Sequence, residues 1–322
     1  MRAGIIGLSS QETPQTTMPS NVADFAFTPY DEALEAVAPQ ARADGAELLV
    51  VVGHLCGAEL SALIPTAADL GITVLTGGHC HAQQTSRVVN GLALLQTGSF
   101  LDAYARVDID LDATTGQVLS VQADLRDNIG GKPDAEIAAI VDRWRDKTDQ
   151  ALSQVIGYAK TEIARQSNAM YNMVTDAWLK AYPTADVALC NRGSFRQSIP
   201  AGEITLKTIV GVLPFDNVLI DVELTGAQLI ENIQCCNPAV GGMTTRGSFK
   251  LADGTPIDPA RTYHVLTNDF MYAGGDQFKL KDYDPDAYNT AIDWRQPVID
   301  WLLSLQTTEQ DPLENHLDDQ AR

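Results

Sequence analysis

Two rhythms of apolar and polar residues run along the chain. Over roughly the first 80 positions, short continuous apolar runs alternate with helically spaced segments. Ala3 to Leu8 is followed by Asp31 to Arg42 with Leu34, Val37 and Ala41 on one stripe. Glu47 to Val52 comes next, then Ala58 to Leu70 with Leu60, Leu63 and Ile64 facing in, then Ile72 to Leu75. A short apolar run bounded by turns reads as a buried strand, and apolar residues three and four apart read as one helix face. The resulting βαβα order predicts a layered α/β unit whose ligands collect at the carboxyl ends of its strands. Gln11 to Asn21 is polar, contains proline and reads as a loop.

Beyond residue 82 the period falls to two. Ser86 to Val89 and Leu92 to Gln96 flank Asn90-Gly91, a hairpin signal because a type I′ turn needs positive φ at both central residues. Tyr104 to Leu111 sets Val107, Ile109 and Leu111 against Arg106, Asp108 and Asp110, and turns at Thr115-Gly116 into Val118 to Leu125. Asn128 to Pro133 then punctuates the chain. Asp134 to Val155 reads as one long helix striped by Ile137, Ile140, Val141, Trp144, Leu152 and Val155, and its charges and position suggest an inter-domain linker. In the second half, Ile163 to Tyr182 predicts a helix ended by Pro183, and Val187 to Leu189 a strand. Ile209 to Leu213 and Val218 to Leu224 read as strands around Pro214-Phe215-Asp216-Asn217, Thr225 to Ile233 as a helix and Tyr263 to Thr267 as a strand. The polar, acidic stretch from Leu303 to Arg322 is expected to fray.

A length of 322 residues makes two domains the default. The formal net charge of −20 sets the surface against phosphate backbones, and no Lys/Arg run offers a patch for nucleic acid. No apolar run approaches the roughly 20 residues of a membrane helix. The first eight residues are no signal peptide, because the apolar run is too short and no cleavage region follows. The five cysteines show no spacing of a disulfide framework, and Cys235-Cys236 reads as packing at a helix end.

Candidate chemistry gathers at strand ends. Three of the five histidines, His54, His79 and His81, fall there, the last two flanking Cys80 in Gly77-Gly78-His79-Cys80-His81. Imidazole is the commonest transition-metal ligand, so this loop is a candidate metal site. Cys80 as a thiolate could hold a soft metal, or as a small residue it could turn into the core. The second half carries four further stretches: Asn191 to Arg196, Ile199 to Thr205, Leu213 to Asn217, and Asn268 to Asp276.

In this order the motifs resemble the bacterial-type 5'-nucleotidases. Gly4 to Leu8, Val50 to His54 and Gly77 to His81 are similar to the second half of that family's metallophosphoesterase domain. The resemblance implies an α/β fold: part of a four-layer αββα metallophosphoesterase domain over residues 1–127, a linker helix over 128–155, and a mixed α+β nucleotide-binding domain over 156–322. It implies hydrolysis of the 5'-phosphate of nucleotides with two divalent metal ions, zinc or manganese, His54 and His79 on one and His81 on the other. The family's Asp-x-His, Gly-Asp and Gly-Asn-His-Glu/Asp motifs have no counterpart, so the chain is expected to start midway through that domain. Three histidines without a bridging carboxylate do not hold two divalent ions. No catalytic residue is therefore assigned, and the chain alone is expected to be inactive.

For the second half, the resemblance implies that Phe215 and Phe270 sandwich a base and that Asp276 accepts from ribose hydroxyls. Gly274 and Gly275 would let the backbone approach the sugar. Arg196 and Arg165 would meet phosphate, and Asn191 the base or sugar. The family usually carries more glycine in the Asn191 loop than Arg192, Ser194 and Phe195 allow, and it moves its C-terminal domain about the linker. The alternatives are a non-catalytic nucleotide- or nucleoside-binding protein, or a related UDP-sugar hydrolase, cyclic phosphodiesterase or thiosulfohydrolase. Family membership also implies a periplasmic or extracellular location.

Overall fold

A computed structural model describes the backbone of residues 1–322 and the side chains of all but residues 83–86. Two compact units emerge: Met1–Thr13 with Asp24–Pro133, and Pro14–Ala23 with Asp134–Arg322.

In the first unit the apolar runs pair as parallel strands β1 (Ala3–Leu8), β2 (Leu48–Gly53), β3 (Val74–Gly77) and β5 (Leu92–Thr97). The strand β4 (Gln83–Val89) lies antiparallel to β5, giving the order β1-β2-β3-β5-β4. Asn90 and Gly91 both take positive φ in the turn that joins β4 to β5. The single helical turn α1 (Thr13–Thr16) falls largely in the second unit's segment Pro14–Ala23, and the helices of the first unit are α2 (Tyr30–Ala43), α3 (Gly57–Ala62) and α4 (Ile64–Asp69). Leu34 and Ala38 of α2, Leu60 of α3 and Ala67 of α4 pack in one cluster with Ile6, Leu49, Val51 and Leu75 of the sheet. An antiparallel ribbon, β6 (Ala103–Leu111) and β7 (Val118–Asp127), sets Val107, Ile109, Val121 and Ala123 against Val74, Ala93 and Leu95. Helices, sheet and ribbon are three successive layers of the expected α/β architecture.

The second unit starts with α5 (Ala135–Leu152), β8 (Val155–Ala159), α6 (Asn168–Ala181), β9 (Val187–Cys190), β10 (Gly202–Thr205) and α7 (Leu206–Val212). It continues through β11 (Val218–Thr225), α8 (Gly226–Cys236), β12 (Ala239–Gly241), β13 (Met243–Thr244), β14 (Lys250–Leu251) and β15 (Thr262–Asn268). It closes with α9 (Asp269–Tyr272), α10 (Leu280–Tyr283), β16 (Tyr288–Asp293) and α11 (Gln296–Leu305). Its main sheet runs β12-β9-β15-β11-β16, with β9 and β15 parallel and the other pairs antiparallel. Successive side chains of a strand face opposite ways. On β9, Ala188 and Cys190 join the cluster of Trp178, Trp294 and Val298, while Val187 and Leu189 join that of Leu229, Met271 and Phe278.

Several elements depart from their sequence patterns. The expected helix Ala58 to Leu70 is split at Leu63 into α3 and α4, because Pro65 lacks an N–H and clashes with the preceding turn. The expected strand Ile209 to Leu213 lies largely in α7. Thr205 and Thr208 cap that helix reciprocally, and this outweighs the β-branched run. The helix expected from Ile163 begins only at Asn168, capped by Ser167, since Ile163 bridges Ile199. The long helix ends at Leu152, and Val155 opens β8.

The acidic tail is folded down. Leu313 is fully buried. The Glu314 carboxylate accepts from the backbone N–H of Lys160 and Thr161 and from the Thr161 hydroxyl. Asn172 donates to the carbonyls of Asp318 and Gln320, and Arg322 pairs with Asp176. These partners lie about 150 positions away in the sequence, so the local composition could not reveal them. Two disulfides, Cys56–Cys80 and Cys235–Cys236, also overturn the expectation of unbridged cysteines. The first joins loops that follow two neighbouring strands, a pairing created by the sheet.

Candidate functional site

In the second unit the loops after β9, β15 and α9 converge on Asn191. This residue follows directly on β9 and is buried. Its Nδ2 donates to Asp276 Oδ2 at 2.7 Å. Its Oδ1 accepts from Asn268 Nδ2 at 3.1 Å and from the Ser194 hydroxyl. Asn268, the last residue of β15, in turn caps α9 by accepting the Met271 N–H at 2.8 Å. Beneath them the Cys190 thiol is pushed well above its ordinary range by complete burial, so it stays protonated.

The backbone bends sharply to bring Asp276 there. Gly274 has φ of 102° and Asp276 of 52°, both left-handed. Aspartate is among the few residues with a side chain that tolerate this region. A Cβ on Gly275 would overlap the outer edge of the Phe270 ring, so glycine is what lets the ring lie across the turn.

Phe215 stands on a loop that other residues pin. Trp294 Nε1 donates to the Phe215 carbonyl at 2.8 Å, and Arg295 donates to Asp216 at 2.7 Å. Burial works to raise the Asp293 carboxyl, but hydrogen bonds from Arg295 outweigh it and hold the group below its ordinary value. Asn217 donates to Asp269, which ties the Phe215 loop to the residue just before Phe270. Phe215 is 43% exposed, and the Arg196 guanidinium sits over its ring at 5.3 Å from the centroid. Arg165 Nη1 reaches the Arg196 carbonyl only at 3.5 Å.

Thus Asn191 and Asp276 share one hydrogen-bonded cluster with Asn268 and Ser194, Phe270, Gly274 and Gly275 lie on the turn that carries Asp276, and Phe215, Arg196 and Arg165 form a second group. The Asn217–Asp269 bond connects the two. Sequence reasoning missed Ser194, Asn217, Asn268 and Asp269 as parts of the site. Their signal was present, since each belongs to a motif already singled out and Asn268-Asp269 directly precedes Phe270.

In the first unit His54 follows β2, and His79 and His81 follow β3. The His54 and His79 rings lie 4.6 Å apart, and Glu12 Oε2 is 3.8 Å from His79 Nε2. The His81 ring meets Phe100 edge-on at 6.0 Å. His79 and His81 have φ of 71° and 54°, a strained conformation for a side chain of this size. Cys80 is exposed and bonded to Cys56, and does not turn into the core. Among the described residues no group of three or more His, Cys, Asp or Glu side chains is arranged to hold a metal ion. The donor set therefore does not fit a dinuclear centre.

Residues 150–250 match the family profile of the 5'-nucleotidase C-terminal domain. The chain is 28% identical over 295 residues to endonuclease YhcR of Bacillus subtilis, covering 83% of this chain and 24% of that protein. It is 26% identical over 341 residues to the cell wall protein Lmo0130 of Listeria monocytogenes, covering 86% and 43%. The chain therefore spans less than half the length of these two curated relatives. A 5'-nucleotidase precursor from Thermus thermophilus superposes with a TM-score of 0.79 at 24% identity, covering 95% of this chain and 70% of that one, a likeness of fold. Fold and matches define an α/β protein whose second unit is similar to the 5'-nucleotidase C-terminal domain. That similarity covers residues 150–250, and the chain as a whole shares the fold of the 5'-nucleotidase precursor.

Proposed function

We propose that this chain binds a nucleotide or nucleoside through its second unit, within a protein of 5'-nucleotidase type that acts on nucleotide phosphate esters. The observation that carries this reading is the cluster in which Asn191 aligns the Asp276 carboxylate beside the Phe270 ring. A carboxylate accepts two ribose hydroxyls, and an aromatic face stacks any base for ~1–3 kcal/mol. Phe215 supplies the second ring. Arg196 lies over it and offers a guanidinium fork to phosphate, with Arg165 as the second cation.

The family reaction would draw on two divalent ions. His54, His79 and His81 do not suffice for them, so the 322-residue chain by itself acts as a nucleotide binder with little turnover. This favours the binding-protein alternative for the isolated polypeptide. The ring pair and Asp276 favour a nucleoside over a sulfur-compound substrate. We further propose a location outside the cytoplasm. The Cys56–Cys80 disulfide and the likeness to a cell wall protein support it, since disulfides persist in oxidising compartments.

Isothermal titration calorimetry with AMP and adenosine tests the reading. Saturable binding at one site is expected, and no heat with either ligand would remove the pocket assignment.

A further inference from the structure

Helix α5 (Ala135–Leu152) has no buried residue, yet it carries an apolar stripe. At about 100° per residue, Ile137, Ile140, Val141 and Trp144 fall on one face of the helix. They are 60%, 41%, 47% and 57% exposed. Single exposed apolar residues need no explanation, but four on one stripe form a contiguous patch of the kind that marks an interaction surface. The helix is anchored to its own unit at its last turns, where Thr148 and Leu152 are half-buried and Asp149 pairs with Lys207 of α7.

Charges border the stripe in a set order. By helical spacing, Asp134 and Glu136 flank its N-terminal end on opposite sides, and Arg145 and Lys147 flank its C-terminal end. Asp142, Asp146 and Asp149 project from the far side of the helix by the same spacing. Lys147 Nζ stands 4.5 Å from the centre of the Trp144 ring, so its charge lies at the edge of the stripe. Arg145 is bonded to Asp142 at 2.8 Å, but both side chains are more than half exposed, and such a pair is weak. Asp134 caps the helix through Oδ1, which leaves Oδ2 to a partner.

We propose that α5 is the seam of a two-fold homodimer, in which the helices of two copies of this chain lie antiparallel. A stripe acidic at one end and basic at the other is complementary to itself when turned end for end. In a pair centred between Ile140 and Val141, Ile137 meets the second copy's Trp144. Asp134 reaches the second copy's Arg145, and Glu136 the second copy's Lys147. The two-fold axis repeats each contact. A parallel pair would set Asp134, Glu136 and Lys147 each against its own copy, and like charges disfavour it. A pair of 18-residue helices is about 27 Å long, a small interface, so the association is reversible. The dimer is independent of nucleotide binding at Asn191 and Asp276.

Sedimentation equilibrium of the full chain tests the proposal. The mass should rise with concentration from one chain of 34.7 kDa towards twice that, and fall again on dilution. Ile140→Asp should weaken association at least ~10-fold, since it buries a charge at the centre of the seam in both copies. The side chain is exposed in the single chain, so the fold should survive, and circular dichroism checks this. Glu136→Lys and Lys147→Glu should each weaken association by about 2- to 5-fold, the scale of surface ion pairs. Both changes in one chain should restore it, because the pair is then reversed and not lost. A single-chain mass at every concentration would overturn the proposal. So would a dimer indifferent to Ile140→Asp, or a double exchange that fails to restore association, since the helices would then not meet in the antiparallel sense.

Discussion

The histidine corner of the first unit and the asparagine–aspartate cluster of the second are both built on loops that follow strands, yet they are finished differently. Around Asn191 the polar atoms are matched to one another: Asp276, Asn268 and Ser194 each meet that one side chain, and Gly275 is shaped to the Phe270 ring. Around His79 the backbone is equally strained, but the side chains do not converge. His81 turns to Phe100, and Cys80 is bonded to Cys56. A hydrogen-bonded cluster orients groups before a ligand arrives, which lowers the cost of binding. Histidines that merely share a loop are not oriented in this way. Strand-end position alone is thus a weaker guide to a working site than mutual satisfaction of its polar atoms.

The sharpest way to break this comparison is to look for turnover. The isolated chain, given AMP with manganese or zinc, is expected to release phosphate no faster than the protein-free blank in a colorimetric assay, and robust release would show that the first unit is better equipped than its geometry indicates. Next in size, Phe270→Ala should weaken adenosine or AMP binding by about 5- to 150-fold, the equivalent of ~1–3 kcal/mol of stacking. Calorimetry measures this, and unchanged affinity would move the base elsewhere.

Gly275→Ala should force the Phe270 ring aside and destabilise the chain by about 1–3 kcal/mol, the range for overpacking. Thermal unfolding reads the loss, while Gly78→Ala, where a Cβ has open space, should be far milder. The smallest effect concerns acid. Burial works to raise the Glu314 carboxyl, but hydrogen bonds from Thr161 and Lys160 outweigh it and hold the group below its ordinary value. A depressed carboxylate contributes stability that is full above its unfolded value, about 4.3, and is lost as the pH falls through the lower folded value. Urea midpoints between neutral pH and about pH 3 should therefore fall with acid. Glu314→Gln should cost about 1 kcal/mol at neutral pH and flatten the acid limb.

Much of the scaffold was legible in the order of residues. Apolar runs located β1, β2 and β3, and Asn90-Gly91 located the hairpin, because burial and turn geometry act over a few neighbours. Reading failed where two local signals competed. The run Ile209 to Leu213 favours a strand by its side chains, while Thr205 and Thr208 favour a helix by capping, and the helix formed. Of the candidate site, Phe270, Gly275 and Asp276 were readable as a motif. That Asn191 and Asn268, 77 positions apart, should hydrogen-bond each other was not.

The sequence by itself determined the two rhythms, the family resemblance and the positions of the histidines at strand ends, since each rests on residue type and short-range spacing. Only the tertiary structure decided which polar groups meet. The parallel pairing of β2 with β3 brought Cys56 to Cys80, and the adjacency of β9 and β15 brought Asn191 to Asn268. The packing of Leu313 and Arg322 likewise turned an acidic tail into part of the second unit. Those contacts join residues far apart along the chain, and they form because the strands and helices that carry them must bury their apolar faces together.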